Sequence, residues 1–231
     1  MTERDLTEES LTLYSDGLAL EARLLYPDDA DVLAGRILLC SPHPFLGGDM
    51  DNNVIAALAP ALAGAGFAVL RFNYRGIGAS QSARDLAEDQ QAFWEHSTCP
   101  RFEAEIMRDC AAAFEAFPGL VPADTPPVVI GYSFGALPAL AIAQRAPLTA
   151  LGLISPPLVR WDIPPSALAL ECPRILVYAP GDFACPAAQM SALHRAAGAG
   201  CELHEVPQAD HFFIGFEPSL CRVLIDFLDR V

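Results

Sequence analysis

The feature that most constrains this chain is a Gly-x-Ser-x-Gly pentapeptide between a strand-like and a helix-like segment. Residues 128–130 are Val-Val-Ile, a β-branched run typical of a buried strand, and residues 136–143 are apolar and helix-forming. Gly131 and Gly135 flank Ser133 in the turn between them, where strand and helix approach too closely for larger side chains. The pattern therefore predicts a nucleophile elbow that exposes Ser133 at the end of its strand.

The order of the remaining segments predicts an α/β fold. A hairpin is expected at 11–26, followed by a loop at 27–31, and strands then alternate with helices from residue 36 onward. The strands are expected at 36–40, 67–74, 128–132, 148–154, 174–178 and 202–206, and the helices at 54–63, 102–117, 136–143, 186–197 and 216–231. Such alternation implies a mainly parallel sheet with helices on both faces, in one domain spanning 1–231. Residues 81–100 are polar and weakly periodic, and we interpret them as a small lid-like excursion.

Composition and charge disfavour two classes of binding partner. The chain of 231 residues has a formal net charge of −15 and only 14 lysines and arginines, which disfavours binding to nucleic acid or to anionic membranes. Hydrophobic residues make up 52% of the chain, as expected for an ordered globular protein.

The cysteines and the polar beginning of the chain indicate a cytoplasmic protein. Seven cysteines form no Cys-x-x-Cys pair and no metal-ligand spacing with histidine, so we expect reduced thiols and no metal. The first ten residues are acidic and polar, unlike a secretory signal, and no apolar stretch is long enough to cross a membrane.

A serine hydroxyl needs a base and an orienting acid, and both should follow strands of the same sheet. Of five histidines, His211 directly follows the last predicted strand and precedes the last helix, so we expect it to be the base. Asp182 follows the strand at 174–178 and is the favoured acid. Asp162, which follows the preceding strand, is the alternative.

Acyl transfer also requires two N–H donors for the oxyanion. The amide of Phe134, next to the nucleophile, is expected to be one. The other should come from the loop after the strand at 36–40, where Pro42 and Pro44 have no N–H. Phe45 is therefore the favoured second donor, with Leu46 as the alternative.

Four residues of the same loops are predicted to bind substrate. They are His43, which we also expect to orient its loop through hydrogen bonds, and the apolar residues Leu46, Phe183 and Phe212.

At this point the chain resembles the α/β-hydrolase superfamily. The stretches at 41–53, with its His-Pro-x-x-Gly-Gly loop, and at 71–78, Arg-Phe-Asn-Tyr-Arg-Gly-Ile-Gly, look like a bacterial branch of small capless serine hydrolases related to dienelactone hydrolases. The Gly-Asp-Phe-Ala-Cys-Pro at 181–186 and the Ala-Asp-His-Phe-Phe at 209–213 look like the segments that hold the family's acid and histidine. The resemblance implies an eight-stranded, mostly parallel sheet and ester hydrolysis. Dienelactone hydrolases use a cysteine nucleophile, however, whereas this elbow holds Ser133, so lactone specificity does not follow.

The leading hypothesis is therefore a serine hydrolase of a small carboxylic ester or thioester, working without metal or organic cofactor. Amide hydrolysis and acyl transfer to an acceptor other than water use the same parts and remain alternatives. A non-catalytic binding protein with this fold is the alternative from another class. The sequence leaves open whether the protein is a monomer or a homodimer.

Overall fold

The computed structural model describes residues 4–28 and 33–231, so the loop predicted at 27–31 lies mostly outside the described residues. The strands are β1 (Leu6–Ser15), β2 (Leu18–Pro27), β3 (Gly35–Cys40), β4 (Phe67–Phe72), β5 (Val128–Tyr132), β6 (Leu151–Ile154), β7 (Arg174–Tyr178) and β8 (Cys201–Glu205). The helices are α1 (Asn53–Gly64), α2 (Ala87–His96), α3 (Pro100–Leu120), α4 (Ala136–Ala143), α5 (Ala187–Ala197) and α6 (Glu217–Leu228).

The eight strands form one sheet in the order β1-β2-β4-β3-β5-β6-β7-β8. The β1–β2 hairpin joins antiparallel to β4, and the six strands from β3 to β8 run parallel. The predicted mostly parallel, eight-stranded sheet is thus confirmed. Because the parallel strands share a direction, the loops that follow them meet at one edge of the sheet.

Alternation along the strands divides the core into two layers. In β3, Ile37 and Leu39 face the layer that contains α1 and α6, whereas Leu38 and Cys40 face the layer that contains α3, α4 and α5. All four side chains are fully buried, as expected for a strand covered on both faces. The predicted two-sided helical cover is confirmed.

Helix α2 is an element that the sequence did not predict. It lies within the polar segment 81–100, where only Phe93 is a large, buried apolar side chain, so the usual apolar periodicity is absent. Ion pairs hold the segment instead: Arg84 donates to Asp89 at 2.8 Å and to Glu105 of α3 at 2.8 Å. The excursion is therefore an ordered helix attached to α3.

The turn after β5 depends on its two glycines. A Cβ on Gly131 would lie 2.2 Å from the backbone oxygen of Gly135, and a Cβ on Gly135 would lie 2.2 Å from that of Cys40 in β3. Both neighbours are backbone atoms of packed elements and cannot move aside. Ser133 between them has a φ of 52°, in the left-handed region that non-glycine residues rarely adopt. The predicted strand–turn–helix is therefore present, with Ser133 at its strained apex.

Candidate active site

A hydrogen bond joins Ser133 to His211. The Ser133 Oγ lies 3.0 Å from the His211 Nε2, although the two residues are 78 positions apart in the chain. Ser133 follows β5 and His211 follows β8, so the parallel sheet brings them to the same edge. This distance allows direct proton transfer between the hydroxyl and the ring.

Asp182 occupies the other side of the imidazole. Its two carboxylate oxygens each lie 2.9 Å from the His211 Nδ1. Nδ1 facing a carboxylate carries the ring proton, which leaves Nε2 free to accept the proton of Ser133. Asp162, the alternative acid, is exposed in the loop after β6. The structure therefore brings together Ser133, His211 and Asp182.

The Asp182 carboxylate is fixed by its own loop. Its Oδ1 accepts the N–H groups of Ala184 and Cys185, both at 2.8 Å. Burial alone would raise the pKa of Asp182, but the hydrogen bond and charge of His211, together with the other donors, outweigh it and lower the pKa. The residue is consequently an anion that can hold His211 in one orientation.

Two side chains outside the predicted set hold the histidine loop. The Tyr132 hydroxyl, buried beside the elbow, donates to the backbone oxygen of His211 at 2.7 Å. Asn53, at the start of α1, donates to the backbone oxygen of Phe212 at 2.9 Å. Neither contact was predicted from the sequence, because each joins segments that lie far apart in the chain.

The loop after β3 is held by His43. The Phe45 N–H donates to the His43 Nδ1 at 3.2 Å, and the Leu46 N–H donates to the backbone oxygen of His43 at 2.9 Å. The N–H groups of both predicted candidates for the second oxyanion donor thus donate hydrogen bonds within their own loop. The amide of Phe134, in contrast, belongs to the second residue of the 3-10 turn that begins at Ser133, and the first N–H groups of such a turn have no partner from a preceding turn.

His43 is not available to a substrate in this structure, contrary to the sequence prediction. Its ring is 1% exposed and stacks on Phe93 of α2 with a centroid distance of 4.3 Å. Phe45, Phe102 and Phe134 pack around the remaining sides. Because the side chain is enclosed by aromatic rings, its role here is to hold the loop, the other function that the sequence suggested.

The buried His43 is expected to make stability depend on pH. Burial, with a smaller contribution from the charge of Arg160, lowers the pKa of His43 from 6.5 to about 4. In the unfolded chain the ring protonates near its ordinary pKa, so the unfolded state binds more protons between these two values. The free energy of unfolding therefore contains the full contribution of neutral His43 above about pH 6.5. It falls by about 3 kcal/mol as the pH is lowered toward about 4.

His43→Asn tests this expectation, because an asparagine can still accept the Phe45 N–H as a helix cap but does not titrate. The free energy of unfolding, measured with urea between pH 4 and 7, should change less with pH for His43→Asn than for the wild type. His96→Asn is the matched control, since His96 is exposed. Parallel curves for the wild type and His43→Asn would contradict the prediction.

The other predicted substrate-binding residues lie at the mouth of the site. Leu46, Phe183 and Phe212 are 61%, 67% and 49% exposed. The ring of Phe183 lies 5.0 Å from that of His211. These three side chains are therefore placed where a substrate could reach them.

Neither a metal site nor a membrane-spanning helix is present within the described residues. No group of three or more histidine, cysteine, aspartate and glutamate side chains within residues 4–28 and 33–231 could hold a metal ion. None of the helices in this part of the chain is both long enough and apolar enough to cross a membrane. All seven cysteines are free thiols.

The fold and the arrangement at the sheet edge define an α/β hydrolase. A family model described as serine aminopeptidase, S33 matches residues 47–171, more than half of the chain, and the protein belongs to this family. The match includes the elbow but ends before Asp182 and His211, so the arrangement of those two residues is known from the structure alone.

Three solved structures are similar in fold to this protein over almost the whole chain. A serine hydrolase homologue from Coxiella burnetii is 25% identical, with a TM-score of 0.79 over 94% of this chain and 96% of its own. A putative α/β hydrolase from Agrobacterium tumefaciens is 26% identical, with a TM-score of 0.79 over 96% and 95%. A serine hydrolase without lid from Xanthomonas campestris is 26% identical, with a TM-score of 0.78 over 96% and 94%.

One curated relative matches a smaller region. An uncharacterized protein of Rickettsia prowazekii is 31% identical over 121 residues, which are 52% of this chain. The match covers 44% of the length of that relative.

Proposed function

We propose that the protein is a serine hydrolase that cleaves a small carboxylic ester or thioester through an acyl-enzyme on Ser133. The observation that carries the proposal is the chain of hydrogen bonds from Ser133 through His211 to Asp182, at 3.0 and 2.9 Å. A base that is oriented by a buried carboxylate and touches a serine on a strained turn is the arrangement that activates a hydroxyl for acyl transfer.

The steps follow from these positions. The His211 Nε2 accepts the proton of Ser133 as Oγ bonds to the carbonyl carbon, and Asp182 stabilises the resulting imidazolium. The Phe134 N–H donates to the oxyanion, and His211 returns the proton to the leaving alcohol or thiol as its bond to carbon breaks. His211 then takes a proton from water as the water oxygen bonds to the acyl carbon, and it returns that proton to Oγ as the Oγ–carbon bond breaks, which releases the acid and free Ser133.

The second oxyanion donor is proposed to be the Phe45 N–H. Its hydrogen bond to the His43 Nδ1, at 3.2 Å, is at the long end of the normal range. Donors in unliganded sites commonly tighten onto their target only when substrate is bound. We therefore propose that this N–H is shared between His43 and the oxyanion in the transition state.

Three further features belong to the proposal. The net charge of −15 supports a function without nucleic acid or anionic membranes as partners. Free thiols at all seven cysteines support a cytoplasmic location. The proposed steps use side chains and backbone N–H groups of this chain only.

Labelling with a fluorophosphonate tests the proposal. Folded protein should form one covalent adduct on Ser133, found by mass spectrometry of the peptide, and should hydrolyse p-nitrophenyl esters or acyl thioesters. Turnover of aminoacyl p-nitroanilides without ester turnover would assign a peptidase instead. Folded protein with no adduct and no turnover would overturn the proposal and leave the non-catalytic alternative.

A further inference from the structure

Exposed apolar side chains are concentrated around the mouth of the site. Within residues 4–28 and 33–231, nine large hydrophobic side chains are exposed, and six of them lie on segments that follow the carboxyl ends of the strands. We call these six the apolar rim; they are Leu46, Trp94, Val159, Phe183, Phe212 and Ile214. Isolated exposed apolar residues are ordinary, but a group of them at one edge marks a binding surface.

Two residues of the rim, Phe183 and Phe212, adjoin the reacting groups. The rings of Phe183 and Phe212 lie 5.0 and 5.7 Å from that of His211 and 6.0 Å from each other. Val159 donates its N–H to the backbone oxygen of Ala184 at 3.1 Å, which ties its loop to the loop of Phe183. A group bound at Ser133 therefore adjoins this apolar surface.

The interior side of the site is filled. His43, Phe45, Phe93, Phe102 and Phe134 are all buried, and their rings contact one another between the elbow and α3. A long chain attached to Ser133 cannot enter this packed group without displacing it. Such a chain would have to leave outward, across the rim.

We infer that the apolar rim binds an extended hydrocarbon chain of the substrate, in its acyl group or in its leaving group, so that a medium-chain ester or thioester is preferred to its short-chain counterpart. The inference rests on the proposed function, because it concerns the substrate of the same site. Covering exposed rings with methylene groups removes apolar surface from water, and each added methylene strengthens binding until the ring surface is covered. The chain can belong to the acyl group or to the leaving alcohol, and both are tested.

The experiment compares kcat/KM for p-nitrophenyl octanoate and acetate, and for octyl and ethyl acetate. We expect a preference of about tenfold or more for the long chain in at least one pair. Phe183→Ser and Phe212→Ser should each reduce that preference at least threefold, because each variant loses the apolar area that one face of a ring would cover. Tyr14→Ser is the matched control, because Tyr14 is as exposed as Phe183, at 69%, but lies on the edge strand β1, four strands from β5.

A binding experiment distinguishes a failure of this inference from a failure of the proposed function. In Ser133→Ala, calorimetric titration should detect N-methyl octanamide but not N-methyl acetamide, and Phe183→Ser in that background should weaken octanamide binding. If the protein binds octanamide but the wild type turns over neither esters nor thioesters, the inference about the rim stands and the proposed reaction is rejected. The inference about the rim would be overturned if turnover showed no chain-length preference. It would also be overturned if both rim variants left the preference intact. A wild-type dimer that Phe183→Ser converts to a monomer would also overturn it, by showing that a second copy covers the surface.

Discussion

Replacing Ser133 with alanine is expected to lower kcat for a p-nitrophenyl ester by about 10⁵-fold, the largest effect of any single substitution in this chain. The substitution removes the atom proposed to form the bond to the acyl carbon, and it leaves His211 without its hydrogen-bond partner at 3.0 Å. Turnover above the uncatalysed rate should persist weakly, because the Phe134 N–H can still polarise a bound carbonyl.

The structure also predicts how this loss combines with others. Ser133 and His211 act through one shared proton, so His211→Ala should lose nearly as much as Ser133→Ala, and the double variant little more than either. Steady-state kinetics with the three variants measures this directly. Ser219→Ala, on the exposed surface of α6, controls for serine removal elsewhere. Losses that multiply in the double variant would show that the two residues do not act as a unit.

The meeting of the three residues proposed to be catalytic could be predicted from the sequence, because the fold places the ends of its parallel strands at one edge. Ser133, Asp182 and His211 each follow a different strand, and parallel strands place the residues that follow them at one edge. Local sequence patterns were enough to place each residue after the end of a strand. The parallel sheet brings those strand ends together, so residues as far apart as Ser133 and His211 can form a hydrogen bond.

The features that were not predicted depend on packing between distant segments. Helix α2 has one buried apolar anchor, Phe93, and its partner is the ring of His43 in another loop, so no pattern within 81–100 could indicate it. The predicted availability of His43 to substrate was wrong for the same reason. Whether the Phe45 N–H is free depends on the rotamer of His43, which spacing along the chain does not determine.

Asparagine in place of Asp182 is expected to lower kcat by about 10⁴-fold while leaving the fold intact. The reason lies in how the present carboxylate is held. Its Oδ1 accepts the N–H groups of Ala184 and Cys185, so the amide oxygen of an asparagine would take that position. The amide NH₂ would then face the His211 Nδ1 and donate to it.

That reversal would move the ring proton of His211 to Nε2, the atom that must accept the proton of Ser133. The variant should therefore fold, bind and still react slowly with a fluorophosphonate, but with kcat reduced far more than KM is raised. Asp162→Asn is the matched control, because Asp162 is the other aspartate considered for this role and is exposed, and its kcat should stay within about twofold of the wild type. A large loss in Asp162→Asn with none in Asp182→Asn would reassign the acid, since only the residue that sets the tautomer of His211 can produce this loss without unfolding the protein.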